Sequence, residues 1–150
     1  MGEEHFMKIA IEEAKNALLN NEVPIGAVIV CNGNVIAKAH NEVEVEKDAT
    51  AHAEIIAIKK ASRTLDGWRL NNCEIYVTCE PCAMCAGAIM NARLKKVVYG
   101  AKQIKFGTIS TGSNILNNKN LNHRLEIVGG VCQKESMELL KKFFSIRRDG

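Results

Sequence analysis

No apolar run in this 150-residue chain approaches the roughly 20 residues that a membrane-spanning helix requires. No internal repeat, low-complexity tract or Gly/Ser linker divides it. The start, MGEEHFMKIAIEEAKNALLN, lacks the basic opening and compact apolar stretch of a secretory signal. Phe6 stands where a myristoylation motif after Gly2 wants Ser or Thr, which argues against lipidation. These absences predict a soluble, cytoplasmic protein with a single domain over residues 1–150. A chain of this size buries roughly two thirds of its unfolded surface and needs no metal to fold.

Six cysteines in a chain without a secretory signal read as reduced thiols and not as three disulfides. Cys31, Cys73 and Cys132 lie in or beside apolar runs and are expected as small core residues. That leaves CEPCAMC at 79–85 to be explained by chemistry. Charge is unevenly divided. Residues 1–90 hold 8 Lys+Arg against 13 Asp+Glu, whereas residues 91–150 hold 12 against 4. A basic final portion admits a polyanionic partner such as RNA, with solvated helix faces as the plainer alternative.

Phe6, Ile9, Ala10, Ala14, Ala17 and Leu18 recur at helical spacing in the first segment. After Pro24 the period changes, and IGAVIV and NVIAKAH flank an Asn32-Gly33 pair, a strong hairpin signal. Residues 42–48 read as a charged connection, and a helix is expected from about Ala51 to Ser62. CEIYVT, KKVVYG and RLEIVGG read as strands, CAMCAGAIMNA and KESMELLKKFFSIRR as helices, and 101–120 as loop with one short turn at most. A strand–helix–strand order implies parallel pairing across the crossover. The expected fold class is α/β, a three-layer α/β/α sandwich around a five-stranded mixed sheet with about four helices.

Cys82 and Cys85 are one helical turn apart, and Pro81 just before them suits a helix start. A helix N-terminus lowers a thiol's pKa and favours the thiolate that a metal requires. With His52 from the front of the preceding helix, they make three ligands of a tetrahedral zinc and leave one position for water. Glu54, two residues past His52, would serve as the general base and acid for that water. Helical positions two apart diverge by about 200°, so His52 has to lie at the very front of its helix. The alternative is a closed structural zinc site that recruits Cys79, and it leaves Glu54 without a task. His5 and His40 have no partners legible in the sequence.

The joint pattern of His-x-Glu and Pro-Cys-x-x-Cys resembles the signature of the zinc-dependent cytidine and adenosine deaminase superfamily. EVPIGAVIV, AHNEVE, TAHAEIIAI, GWRLNNCEIYVTCEPCAMCAGAIMNARLKKVVYGA and LNHRLEI extend the likeness, from about Phe6 to Arg148, to its tRNA-acting adenosine deaminases. The resemblance implies a cytidine deaminase-like fold and one Zn2+ per subunit on His52, Cys82 and Cys85. It implies Glu54 as the proton shuttle in deaminating a wobble adenosine, with Asn41 and Asn122 on the substrate. It also implies a homodimer, and RNA contacts from Lys105, His123, Arg124, Phe144, Arg147 and Arg148. An enzyme of the same fold acting on free guanine or cytosine, and a non-enzymatic RNA-binding module, are the competing readings. Four positions depart from the family pattern: Lys102 and Gln103 replace acidic residues, Cys79 an aliphatic one, and Ala49 a proline.

Overall fold

The computed structural model describes residues 2–102, 111–118, 120 and 123–149. Helix α1 (Glu3–Leu19) leads into the hairpin of β1 (Gly26–Cys31) and β2 (Asn34–His40). A single-turn helix, α2 (Val43–Glu46), and helix α3 (Ala53–Thr64) follow, then β3 (Cys73–Cys79), α4 (Ala83–Asn91) and β4 (Lys96–Ala101). Helix α5 (Thr111–Leu116), β5 (Glu126–Val128) and α6 (Gln133–Asp149) complete the order. The sheet runs β2-β1-β3-β4-β5. β1 is antiparallel to both β2 and β3, and β4 is parallel to β3 and β5. Helices α1 and α6 cover one face, and α3 and α4 the other, with α5 lying on α4. The three-layer mixed sandwich expected from the sequence is the observed fold.

The two faces fill by strand alternation. Val28, Val30, Tyr76 and Val98 pack against Phe6, Met7, Ala10 and Ile11 of α1. Ala27, Ile29, Ile75, Val77 and Val97 face Ala53, Ala57, Ala61, Ala86 and Ile89. In α1 the buried stripe centres on Met7 and Ile11, while Ile9 and Leu18 sit at its margin. The hairpin turn places Asn32 (φ 51°) and Gly33 (φ 81°) in the left-handed region, as a type I′ turn requires. At the edge of the sheet where β3, β4 and β5 begin, Lys96 bonds Glu3 at 2.7 Å and lies 4.0 Å from Glu74 and from Glu126. It thereby ties α1, β3 and β5 to β4.

Two short helices, α2 and α5, depart from the expectation of connection and loop. Neither carries an apolar period of its own; α2 is fastened by distant groups, and α5 is laid on α4. Cys73 is buried as expected, but Cys31 and Cys132 are only half-buried. Cys132 stands in a turn with φ 53°. Among the described residues no helix is long and apolar enough to cross a membrane.

Gly26 opens β1 where α1 crosses it. A Cβ there would meet the backbone oxygen of Ala10 and the backbone nitrogen of Ala14, and neither can swing aside. Gly26→Ala is expected to cost about 1–3 kcal/mol or more, measured by urea unfolding.

Candidate metal and deamination site

Two helices begin at the same edge of the sheet, beyond the end of β3. His52 is the N-cap of α3, with φ −76° and ψ 152°. Cys82 is the N-cap of α4, with φ −73° and ψ 176°. Both residues are therefore extended, and the geometric demand that the His-x-Glu spacing makes is met. With His52 outside the helix, Glu54 in the first turn of α3 can face the same point. Backbone bonds hold the approaches: the Glu80 N–H donates to Ala101 at 2.7 Å, and the Glu42 N–H to Ala51 at 3.0 Å. Asp48 accepts from the Thr50 N–H at 2.8 Å and its hydroxyl at 2.7 Å, shaping the turn before His52.

His52 Nδ1 lies 3.7 Å from Cys82 Sγ and 3.5 Å from Cys85 Sγ. Zn–S bonds of about 2.3 Å and Zn–N bonds of about 2.0–2.1 Å at the tetrahedral angle require an S···N separation of about 3.6 Å. These residues fit a zinc ion, and the pairing of thiol with imidazole favours zinc over hard cations. Among the described residues, His52, Cys82 and Cys85 form the one His/Cys/Asp/Glu group whose ligand atoms lie within 4.8 Å of one another. Cys79 stays outside it, so the closed four-ligand alternative gains no support from the geometry.

Hydrogen bonds within the group favour one sulfur as thiolate. Hydrogen bonding from Cys85, aided by His52, draws the Cys82 thiol down to about 4 against the cost of burial. The same bond raises Cys85, which keeps its proton, and the Cys82 partner raises His52. Burial pushes the Cys79 thiol up to about 12. Glu54 is 4% exposed, and burial raises its carboxyl to about 7. A carboxyl poised near neutrality gives and takes protons with comparable ease.

Asn41 is 5% exposed, and its Oδ1 is buried without a hydrogen-bond partner. Local sequence alone marks Asn41 as an ordinary turn residue after a strand; its burial comes from the fold. His40, without a legible partner in the sequence, has Glu13 at 3.2 Å and Glu42 at 3.8 Å. His5 is exposed, its ring edge-on to Phe6.

Among the described residues, His123 and Arg124 lie away from the His52, Cys82 and Cys85 group. His123 Nε2 is 2.6 Å from the carbonyl oxygen of Leu94, just before β4. The site lies beyond the other end of the parallel strands, and a six-residue strand such as β4 rises about 20 Å. Arg124 is exposed beside His123. Phe143 is buried and Phe144 half-exposed, their rings edge-on at 5.3 Å. Lys105 and Asn122 lie outside the described residues, as do the side chains of Arg147 and Arg148.

The family model described as MafB19-like deaminase matches residues 1–148. The tRNA-specific adenosine deaminase of Bacillus subtilis is 48% identical over 142 residues, covering 95% of this chain and 88% of that protein. This chain belongs to the tRNA-specific adenosine deaminase family. A solved structure from studies of A-to-I editing by tRNA:A34 deaminases at the wobble position of transfer RNA is 42% identical. It has a TM-score of 0.85 and covers 91% of this chain and 99% of that one. A guanine deaminase from Bacillus subtilis is 44% identical, with a TM-score of 0.65, covering 68% of this chain and 66% of that one. A guanine deaminase from Nitrosomonas europaea covers 96% of this chain with a TM-score of 0.84 but at 24% identity, a likeness of fold alone.

Alkylation of the metal-free protein at about pH 6 discriminates the thiols, since only a thiolate attacks. Cys82 is above its pKa there, and Cys73 and Cys79, each pushed up to about 12 chiefly by burial, are far below theirs. Peptide mass spectrometry is expected to find Cys82 modified first, and added zinc is expected to protect it.

Proposed function

We propose that this protein hydrolyses the amino group of adenosine at the wobble position of a tRNA anticodon, releasing ammonia and leaving inosine. The observation that carries the reading is a buried carboxylate, Glu54, set beside three ligand atoms at tetrahedral separations. Zinc held by His52, Cys82 and Cys85 would supply Lewis acidity that makes water a nucleophile near neutral pH. Glu54 accepts the proton of the attacking water. It delivers that proton to the purine ring nitrogen, then takes the proton of the newly formed C–OH and passes it to the departing amine, which leaves as ammonia, so one residue is base and acid in turn. Asn41, buried with an unpartnered Oδ1, accepts a hydrogen bond from the base, and its burial keeps water from competing for that atom.

The choice of RNA over a free base rests on kinship and charge. Relatives matched over nearly their whole length are named for tRNA, and the last sixty residues are basic. Arg and Lys neutralise phosphates, and exposed aromatics stack on unpaired bases. His123 and Arg124 lie at the opposite edge of the sheet from Glu54, so their RNA contacts extend the footprint away from the reacting base. A homodimer working in the cytoplasm belongs to the same reading.

An anticodon stem-loop with adenosine at the wobble position, incubated with the zinc-loaded protein, is expected to yield inosine there by sequencing. Glu54→Ala is expected to lower turnover by about 10²–10⁴-fold with zinc content unchanged. Full activity in that variant would overturn the proton-shuttle role, and deamination of free guanine in place of the stem-loop would transfer the reading to the guanine enzymes.

A further inference from the structure

Glu22 has no place in the chemistry above, yet it is 1% exposed. An isolated carboxylate is not buried without strong partners. Its partners are two backbone amides: Oε1 accepts from the Glu44 N–H at 3.1 Å and Oε2 from the Val45 N–H at 2.8 Å. These amides belong to the first turn of α2, whose own N-cap, Glu42, makes no side-chain capping bond. A residue in the connection between α1 and β1 thus caps a helix about twenty positions away in the chain.

The clamp has a second point. Three residues after Glu22, the Ile25 carbonyl accepts from the Asn41 N–H at 3.1 Å. Between them Pro24 limits the backbone, and the Ile25 N–H turns back to the Val23 carbonyl at 2.8 Å. Segment 22–25 therefore grips segment 41–45 at both ends. Asn41 immediately precedes Glu42, the N-cap of α2, so a loosened α2 frees one side of the residue. The unpartnered Oδ1 of Asn41 gives the clamp a purpose, because a buried acceptor is useful only when it points at its ligand.

We propose that Glu22 is a positioning residue for the deamination site: its carboxylate caps α2 in place of a local cap and so holds Asn41 in register with Glu54 and the metal ligands. The proposal rests on the substrate role given to Asn41 above. Glu22 touches neither substrate nor metal and acts through the backbone of residues 41–45.

The variant of choice is Glu22→Gln, which keeps the shape but sets an NH2 group against one of the two amides. Two measurements decide the matter. Hydrogen exchange at Glu44 and Val45 is expected to quicken roughly tenfold in Glu22→Gln; unchanged protection there would overturn the clamp. The second is a double-mutant cycle on the stem-loop. Glu22→Gln is expected to lower kcat/KM roughly tenfold in the native background and by less than about twofold in Asn41→Ala, with zinc content unchanged in both. An equal loss in both backgrounds, loss of zinc, or an Asn41→Ala protein as active as the native one would overturn the coupling. Glu22→Asp keeps both acceptors on a shorter arm and is expected to fall between. Absence of inosine from the unmodified protein would instead sink the functional reading, and the exchange rates would still decide whether Glu22 is the clamp.

Discussion

Everything at this site depends on two helices starting side by side at one edge of one sheet. A helix presents residues two apart on diverging faces, so a ligand and a base separated by one residue cannot converge within it. They converge here because His52 is the extended residue before α3 and Glu54 is inside its first turn. The same device puts Cys82 before α4 and Cys85 one turn further in. The sheet order supports both: β2 and β3 each run antiparallel to β1, which lies between them, so the strand ends that lead to α3 and α4 fall at the same edge.

Position then sets protonation. The open amides of a helix start favour negative charge, and a negative sulfur is what stands there, with Cys82 drawn down by hydrogen bonds from Cys85 and His52. Glu54 lies just beyond, deep enough for burial to oppose its charge. Two acids at the same edge of the sheet are thereby driven in opposite directions, Cys82 towards charge and Glu54 away from it. Such a split marks functional sites more often than structural ones.

Sequence reasoning reached the parts whose cause is local. Asn32-Gly33 announces its own turn, the apolar run of β1 its two buried faces, and the spacing of His52, Cys82 and Cys85 their meeting at two helix starts. It failed where the cause is remote. α2 is stabilised by Glu22, which no local pattern links to residue 44, and α5 by its seat on α4. The burial of Asn41 depends on partners distant in the chain, with its own N–H on Ile25 and the N–H of the next residue, Glu42, on Ala51. His40 finds Glu13 only after α1 docks on the hairpin. The resemblance named Asn41 without supplying a reason; the buried, unpartnered oxygen supplies one. His123 shows the reverse case, a residue assigned from likeness that the fold sets against Leu94, at the far edge from the metal ligands.

The seam between the antiparallel and parallel halves of the sheet has a consequence for how the molecule matures. His52 arrives with the hairpin half, and Cys82 and Cys85 arrive thirty residues later with the other. The end of β3 is then pinned by the Glu80–Ala101 bond, whose acceptor emerges later still. As the chain leaves the ribosome, the early segments can fold while owning a single ligand. The three side chains that fit a metal therefore converge only late, and their convergence marks the two halves as sewn together.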